Sequence, residues 1–473
     1  MFQTRTGIEG ECTLRIVIVG AGEVGFSVAR SLSQDGHDII VVEENPDRAA
    51  KVESELDVMV VRGNGARPGV LEKAGLTGSS PAEMLIACTN RDEVNILACW
   101  IAKKLGVKRV LARAVGLEFT DTDMWGRDLG IDALISPERS VAREVENLLE
   151  TQGAIHSTEV DEKVGIYAFF VTEESRACGI PLIDLRAKYP SLVTIIAYIQ
   201  RGEKGFIPGA NDTLMPGDLC YTFCYLDQIQ EISELYQPRS RKKLKRVLIV
   251  GGGKVGFQTA ELLQKRIQGI DVKLIDSDRE KCRKISNELS RVTVLWGDGA
   301  DEELLIQEGI ASAGGFVAAT ENDEVNLMLA VLAKTLGARK TISVIRRKSY
   351  MKLARILPID AIVNRNEALS SVIISAVRYP GHASTLTILD QIGAETLQIT
   401  VPPGSQAIGL TLKELKLPRG SLICLVRRTK PDGSDEIFIP TGNASLMAND
   451  RAIVFATLAV IEKTLEALGV SSL

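Results

Sequence analysis

The stretch that decides the fold is "IVIVGAGEVG", residues 16–25. Its apolar run predicts a buried strand, and its glycines predict a tight turn that opens into a helix. In a dinucleotide-binding turn, the first glycine permits the bend. The second lets a pyrophosphate approach the backbone, and the third lets the helix pack closely on the strand. Gly20, Gly22 and Gly25 stand in these three places.

The chain repeats this turn and much of the sequence after it. "VLIVGGGKVG" (residues 247–256) carries Gly251, Gly253 and Gly256 at the matching places. "CTNRDEVNILA" (88–98) returns as "ATENDEVNLML" (319–329), and "FIPGANDTLMPGD" (206–218) returns as "FIPTGNASLMAND" (438–450). One register spans nearly the whole chain, which indicates a tandem duplication of a unit of about 230 residues.

Composition narrows the class of protein. The 473 residues are 45% hydrophobic and 25% charged, as in a soluble protein of several globular domains. The net charge of −5 and the 5% aromatic content argue against a nucleic-acid-binding surface. No apolar run reaches the roughly 20 residues of a membrane span. The polar start of the chain lacks the apolar core of a secretory signal, and we expect it to be a loose extension.

Each unit divides into two parts. Apolar strands alternate with helical patterns in the first part, which predicts βαβ units in a parallel sheet. Short strands and turn signals occupy the second part. We therefore expect an α/β chain with two Rossmann-like parallel-sheet domains, each followed by a small α+β domain. The predicted boundaries are 1–13 (N-terminal extension), 14–136 (first Rossmann domain), 137–237 (connecting helix and first C-terminal domain), 238–245 (linker), 246–364 (second Rossmann domain) and 365–473 (connecting helix and second C-terminal domain).

Two local patterns leave alternatives open. The eight cysteines are scattered without any CxxC pair, so buried, reduced thiols in a cytoplasmic protein are favoured. A zinc site at Cys220 and Cys224 is the alternative. The basic run "PRSRKKLKR" (238–246) is interpreted as a solvated linker, with nucleic-acid or lipid contact as the alternative.

An acidic residue is expected about 20 residues after each glycine turn, at the end of the second strand. Glu43 ends "DIIVVE" and Asp276 ends "DVKLID". A carboxylate there accepts hydrogen bonds from both ribose hydroxyls and repels a 2′-phosphate. The sequence therefore favours NAD(H) or another adenine nucleotide over NADP(H).

Two further loops are predicted at the same edge of each sheet. "RGNGA" and "WGDGA" come after the third strands and place Asn64 and Asp298 where they can reach an adenosine. "CTN" and "ATE" come after the fourth strands. Their threonines, Thr89 and Thr320, either bind ribose or phosphate or act as N-caps of the next helices.

The strand–"GAGEVG"–helix unit, Glu43, "RGNGA", "CTNRDEVN" and "LGIDALISPERSVARE", together with the β-rich module after them, resemble the RCK (KTN) domain family. Two such pairs in one chain, over roughly residues 14–470, resemble the cytosolic regulatory subunits of Trk-type potassium uptake systems. The resemblance implies NAD(H) binding, with ATP and ADP as further ligands. It also implies a homotetrameric ring on the inner face of the membrane that gates an integral-membrane potassium transporter subunit.

The resemblance also implies the residues of two nucleotide sites. The first comprises Gly20, Ala21, Gly22, Glu23, Val24, Glu43, Asn64, Thr89, Asn90 and Arg113. The second comprises Gly251, Gly252, Gly253, Lys254, Val255, Asp276, Asp298, Thr320 and Glu321. No catalytic residue and no metal ligand is implied.

Basic residues distinguish the two sites. Arg113 ends the fifth strand, where the family places a phosphate-contacting arginine; a surface charge is the alternative. Counting back from Tyr350, which matches Phe119, Val344 occupies the equivalent position, and Arg346 is expected on the same face. Lys254 adds positive charge near phosphate or is simply solvated.

The main alternative function is an NAD-dependent oxidoreductase, which needs an acid or base near the nicotinamide. The chain has three histidines, His37, His156 and His382, and none is close in sequence to the predicted crevice. A nucleotide-sensing regulator of another enzyme is a second alternative. Residues 136–150 predict a helix whose apolar face packs either on a neighbouring lobe or on its own.

Overall fold

The computed structural model describes residues 13–114, 129–160, 163–238, 244–366, 373–374, 377, 383–389, 392–430, 432 and 434–470. Most of the expected N-terminal extension, residues 239–243 of the linker, Phe119 and His382 lie outside this part. The chain forms two compact units. One holds Met1–Pro137, Asn366–Thr385 and Leu468–Leu473, and the other holds Glu138–Arg365 and Leu386–Ala467.

The first unit contains a six-stranded sheet of the expected Rossmann type. Its strands are β1 (Arg15–Val19), β2 (Asp38–Glu43), β3 (Met59–Arg62), β4 (Met84–Ala87), β5 (Arg109–Arg113) and β6 (Ala133–Ile135). Their order is β3-β2-β1-β4-β5-β6, and neighbouring strands run parallel. The order reverses between β1 and β4, and such a switch point creates a crevice beyond the carboxyl ends of the strands.

Helices cover this first sheet. They are α1 (Glu23–Gln34), α2 (Pro46–Glu55), α3 (Pro68–Leu71) and α4 (Asp92–Lys104), with a π-helical turn at Glu72–Leu76. Local sequence explains where they begin. Asn45 accepts the backbone N–H groups of Asp47 and Arg48, and Pro46 stands at the first helical position of α2.

The second unit contains an equivalent parallel sheet. Its strands are β12 (Arg246–Val250), β13 (Asp271–Asp276), β14 (Val292–Trp296), β15 (Gly315–Ala318), β16 (Thr341–Ile345) and β17 (Ala361–Asn364), in the order β14-β13-β12-β15-β16-β17. Its helices are α8 (Lys254–Arg266), α9 (Arg279–Glu288), α10 (Glu302–Gln307) and α11 (Asp323–Thr335), with 3-10 turns at Ile310–Ser312 and Lys348–Arg355. The duplication is therefore confirmed strand by strand.

Two five-stranded sheets form the smaller domains. The first has β7 (Ala154–Glu159), β8 (Val164–Phe170), β9 (Thr194–Arg201), β10 (Lys204–Phe206) and β11 (Leu219–Tyr225), in the order β10-β9-β11-β8-β7. The second has β18 (Ala383–Leu389), β19 (Ala394–Thr400), β20 (Ser421–Thr429), β21 (Asp435–Phe438) and β22 (Arg451–Thr457), in the matching order β21-β20-β22-β19-β18. Their inner faces share one apolar core that includes Phe223 and Phe455. Helices α6 (Leu182–Lys188), α7 (Ile229–Tyr236) and α12 (Ile461–Ala467) complete these domains, with 3-10 turns at Leu226–Gln228 and Leu458–Val460.

The connecting helix α5 (Pro137–Glu150) belongs to the first copy but packs on the second parallel-sheet domain. Glu146 pairs with Arg266 of α8 at 3.3 Å, and Glu138 pairs with Arg365 just beyond β17. Leu149 lies so close to Gly315 that a Cβ there would be 2.3 Å from its Cδ2. Helix α5 thus packs on a neighbouring lobe of the same chain, and it also contacts its own copy through Glu144, which pairs with His156 of β7.

A residue of the second copy, in turn, contacts the parallel-sheet domain of the first copy. Asn366, which lies just beyond β17 of the second copy, donates a hydrogen bond from its side chain to Glu23 at the start of α1. Each copy thus makes contacts with the other's parallel-sheet domain.

The thiols of Cys220 and Cys224 are buried, as the sequence favours over a zinc site at these residues. Cys220 and Cys224 are both buried on β11, and burial raises the pKa of each thiol. Among the described residues, no group of three His, Cys, Asp or Glu side chains is placed to hold a metal ion. No helix in the described part of the chain combines the length and apolarity needed to cross a membrane.

A buried lysine joins the first small domain to the second parallel-sheet domain. Lys340 is 4% exposed, and its Nζ donates to the carbonyl oxygens of Thr151 at 2.6 Å and Ala154 at 2.9 Å. Burial lowers the pKa of Lys340 from 10.5 to about 7, against a smaller opposite effect of Asp360. The amine is therefore largely neutral above neutral pH in the native protein.

Replacing this lysine should change how stability depends on pH. Between pH 7 and about 10.5 the unfolded chain holds a proton on Lys340 that the native protein has released, so this group makes the native state more stable as pH rises. The slope is at most roughly 1.4 kcal/mol per pH unit. Lys340→Met should flatten the rise in unfolding free energy over this window, measured by denaturant titration. Exposed Lys204→Met should keep the wild-type slope. Parallel profiles for wild type and Lys340→Met would contradict the assignment.

Candidate functional site

The first glycine turn has the geometry that its sequence predicts. Gly20 has φ +99°, and Gly25 packs so tightly that a Cβ there would be 1.8 Å from the Gly20 oxygen. An added Cβ at Gly22, by contrast, would meet no atom within 4 Å. The fold therefore requires Gly20 and Gly25, whereas Gly22 leaves an open surface at the turn.

Helix α1 begins beside that open surface without a side-chain cap. Gly22 is its N-cap residue and makes no side-chain hydrogen bond to the first turn. Helix α8 of the second copy begins in the same way, after Gly253. The neighbouring helices α2 and α9 are capped by Asn45 and Asp278. The uncapped N–H groups and the helix dipole make each glycine turn a place for an anion.

Glu43 ties the first turn to the second strand. It is 5% exposed, and its Oε2 accepts the Ala21 N–H at 2.6 Å while its Oε1 accepts the Asn45 N–H at 2.8 Å. Each carboxylate oxygen has room for a further donor, because an ionised carboxylate accepts about four hydrogen bonds. The arrangement suits a pair of ribose hydroxyls next to the glycine turn.

The loop after β4 closes the crevice on the other side. Thr89 lies against Gly20, where an added Cβ would be 2.8 Å from its Cγ2. Its hydroxyl donates to Asn95 Oδ1 at 2.7 Å. Helix α4 has Arg91 as its N-cap residue, and α11 has Asn322. The N-cap alternative for Thr89 and Thr320 is therefore wrong, because each hydroxyl donates instead to the side chain of an asparagine six residues further along.

That asparagine is a site residue which the sequence reasoning missed. Asn95 is fully buried and accepts from the Thr89 N–H at 2.9 Å. It donates to the carbonyls of Thr89 at 3.1 Å and Arg113 at 2.9 Å, and so joins the loop to the end of β5. Asn326 makes the same bonds to Thr320 and Val344 in the second copy. The signal was present, since both copies carry this residue as the last letter of "DEVN".

Arg113 reaches the region of the site from β5. Its Nε atom is buried, which argues against the alternative of a plain surface charge. Burial raises the pKa of the Cys88 thiol to about 12; Arg113 opposes this rise and Glu43 adds to it. In the strand order, β2 with Glu43 and β5 with Arg113 lie on opposite sides of the central pair β1 and β4.

The second copy has the same hydrogen bonds around its glycine turn but different charged residues. Asp276 accepts the Gly252 N–H at 2.7 Å and the Asp278 N–H at 2.9 Å. Lys281 adds a cation, with its Nζ 3.1 Å from Asp276 Oδ2. Val344 is buried at the position of Arg113, and the shared bonds from Asn95 and Asn326 confirm this equivalence. Arg346 instead pairs with Asp323 at 3.4 Å.

The remaining predicted residues stand around the two turns. Asn64 donates to Glu44 and accepts from the Ala66 N–H, and Asp298 accepts from the Ala300 N–H. The others are either exposed, as Glu23, Asn90, Lys254 and Glu321 are, or buried in the first turn of a helix, as Val24 and Val255 are. Glu321 also accepts a hydrogen bond from Arg346 through its carbonyl oxygen. The valine side chains face the core, so only their backbone N–H groups are available to a ligand.

Comparisons with known proteins agree with this arrangement. The TrkA-N domain model matches residues 16–137 and 247–365, and the TrkA-C domain model matches residues 396–469. The Trk system potassium uptake protein TrkA homolog of Archaeoglobus fulgidus is 34% identical over 95% of this chain and 99% of its own length. The chain belongs to the TrkA family. The TrkA protein of Azorhizobium caulinodans is 31% identical over 97% of this chain and 99% of its own.

Solved structures confirm the fold expected of a TrkA-family chain. The GsuK RCK domain has a TM-score of 0.60 and 18% identity, over 99% of this chain and 98% of that one. The GsuK channel bound to NAD has a TM-score of 0.61 and 18% identity, over 98% of this chain and 80% of that one. The RCK-type architecture predicted from the sequence is therefore confirmed.

Removing Asn95 should loosen both the loop and the end of β5. Asn95→Ala leaves the Thr89 N–H and the Arg113 carbonyl without their partner, so we expect a loss of roughly 2–4 kcal/mol in unfolding free energy. Guanidinium titration followed by circular dichroism measures it. The exposed neighbour offers the control: Asn90→Ala should stay within about 0.5 kcal/mol of wild type. Equal, small effects of both substitutions would show that Asn95 does not hold the loop.

Proposed function

We propose that the chain is a cytosolic, nucleotide-sensing regulatory subunit of a Trk-type potassium uptake system. The observation that carries this proposal is the pair of glycine turns, each with an uncapped helix start and a buried carboxylate accepting a backbone N–H of the turn. Nearly full-length relatives are named Trk system potassium uptake proteins. A similar channel structure is described as bound to NAD.

The proposed ligand is NAD(H), with ATP and ADP as further candidates. The pyrophosphate lies against Gly22 or Gly253, where the first N–H groups of α1 or α8 donate to it. Glu43 or Asp276 accepts hydrogen bonds from the ribose, and the loops of Asn64, Thr89 and Asn90, or of Asp298, Thr320 and Glu321, flank it. Arg113 adds positive charge in the first site alone. The domain boundaries predicted from the sequence are kept as part of this proposal.

The proposed mechanism is a shift between two arrangements of a ring of lobes. A nucleotide that binds one arrangement more tightly increases its population, and the ring transmits the change to the transporter. A nucleotide that binds both arrangements equally has no effect. In a homotetramer, four chains present eight nucleotide lobes on the inner face of the membrane.

An NAD-dependent oxidoreductase is less well supported by the described side chains. His37 accepts the backbone N–H of Leu14, outside the glycine turn. His156 lies in β7 and pairs with Glu144 at 3.0 Å. Neither histidine is in a Rossmann crevice, where a proton donor for a carbonyl substrate is needed. Sustained consumption of NADH with a carbonyl substrate would favour the enzyme instead.

Enlarging the open glycine should remove the ligand without disturbing the fold. Gly22→Val places its side chain where no atom lies within 4 Å and keeps a φ of −64°. We expect an unchanged melting temperature, and calorimetric titration should lose one NAD site per chain. Gly253→Val should remove the other.

Gly25→Val is the matched control, since its Cβ would collide with the Gly20 oxygen, and we expect it to unfold the domain. Full NAD binding by the folded Gly22→Val/Gly253→Val double variant would refute the site.

The transport role has its own test. Cells that contain a Trk-type membrane subunit but lack its regulatory partner should regain potassium uptake when this chain is supplied. The chain should sediment with membranes that contain the transporter and stay in the supernatant when the transporter is absent. Equal distribution in both cases would exclude the proposed partner and favour a regulator of another enzyme.

A further inference from the structure

The second glycine-turn site has an aromatic side chain that its first-copy counterpart lacks. Trp296 ends β14 and pairs in register with Asp276 of β13. In β3 of the first copy, the residue in register with Glu43 is Arg62. Neighbouring parallel strands are about 4.8 Å apart and paired residues point to the same face, so Trp296 stands beside the proposed ribose acid.

The indole ring is both exposed and held in place. Trp296 is 62% exposed, whereas tryptophan side chains are highly buried on average. Its Nε1 donates to the carbonyl oxygen of Ser277, the residue after Asp276, at 3.0 Å. The guanidinium carbon of Arg279 lies 5.3 Å from the ring centroid, within the range of a cation–π contact. The ring is therefore fixed to the loop just after the ribose acid.

Position determines which part of a ligand this pair can bind. A nucleotide with its pyrophosphate at Gly253 and its ribose at Asp276 must place its base beyond the ribose, toward the loop at 277–279 and the end of β14. Bases stack on aromatic rings and on guanidinium planes. Lys281 Nζ lies 3.1 Å from Asp276 Oδ2, so a cation stands beside the proposed ribose acid.

We propose that Trp296 and Arg279 form a base-stacking platform that makes the second site selective for purine nucleotides. In the first copy, Arg62 pairs with Glu53 at 3.0 Å, and Pro46 occupies the place of Arg279. The two sites therefore recognise the base by different means. This inference rests on the proposed nucleotide-binding function and adds the determinant of base preference to its second site.

The test isolates the second site in the Gly22→Val background and uses two probes that differ only in the base, ADP and UDP. We expect ADP to bind more tightly than UDP and to quench the Trp296 fluorescence. Trp296→Ala should weaken ADP binding by roughly 5- to 100-fold, the range for loss of one base–aromatic stack, and should change UDP binding much less. Trp296→Phe should recover most of the ADP affinity, and it also supplies the fluorescence baseline of the remaining tryptophans.

Further variants distinguish a failure of the stacking platform from a failure of the proposed nucleotide-binding function. Arg279→Ala should reduce ADP affinity by a smaller factor, and Arg62→Ala, at the equivalent place in the first copy, should leave it unchanged. If ADP binds but Trp296→Ala has no effect, the platform is refuted while the nucleotide site stands. If Trp296→Ala weakens only sedimentation with transporter membranes, the indole is a protein contact and the platform is again refuted. Failure of the wild-type chain to bind either NAD or ADP would refute the proposed function itself.

Discussion

A carboxylate that accepts a backbone N–H from a glycine turn is the interaction on which each candidate site depends. Glu43 connects the turn after β1 to the loop after β2, through bonds to Ala21 and Asn45. Asp276 does the same through Gly252 and Asp278. Because these bonds connect the carboxyl ends of two neighbouring parallel strands, they fix the start of the helix relative to the buried carboxylate. The groups that shape the turn are therefore also those proposed to bind the nucleotide.

The sequence predicted the parallel sheets well, because buried strands with both faces covered appear as continuous apolar runs. It also predicted the three roles of the glycines, which arise from backbone sterics alone. The repeated "DEVN" marked Asn95, but the repeat alone did not show that its side chain holds the Thr89 loop, since an asparagine within a helix pattern resembles any other polar residue. The apolar face of α5 was visible in the sequence, but periodicity does not say which domain it will contact.

The two copies share the hydrogen bonds that shape the candidate site but differ in its charged residues. The asparagine links, the uncapped helices and the carboxylate bonds are the same in both. The first site has Arg113 where the second has the buried Val344, and the second has Lys281 against its carboxylate. In each copy the backbone bonds that hold the frame come from a few buried polar groups. Surrounding positions are then free to differ, so the two candidate sites have different charged residues around the same backbone bonds.

The contacts of α5 with the second copy have a consequence while the chain is being synthesised. Helix α5 leaves the ribosome before Arg266 and Arg365, the partners of its buried Glu146 and Glu138. Until the second half is synthesised, Glu146 and Glu138 lack these two arginines, so burial of the two carboxylates is less favourable. The two ion pairs of α5 with Arg266 and Arg365 form only after the second half has been made. A chain truncated before Arg266 therefore leaves both buried carboxylates of α5 without these partners.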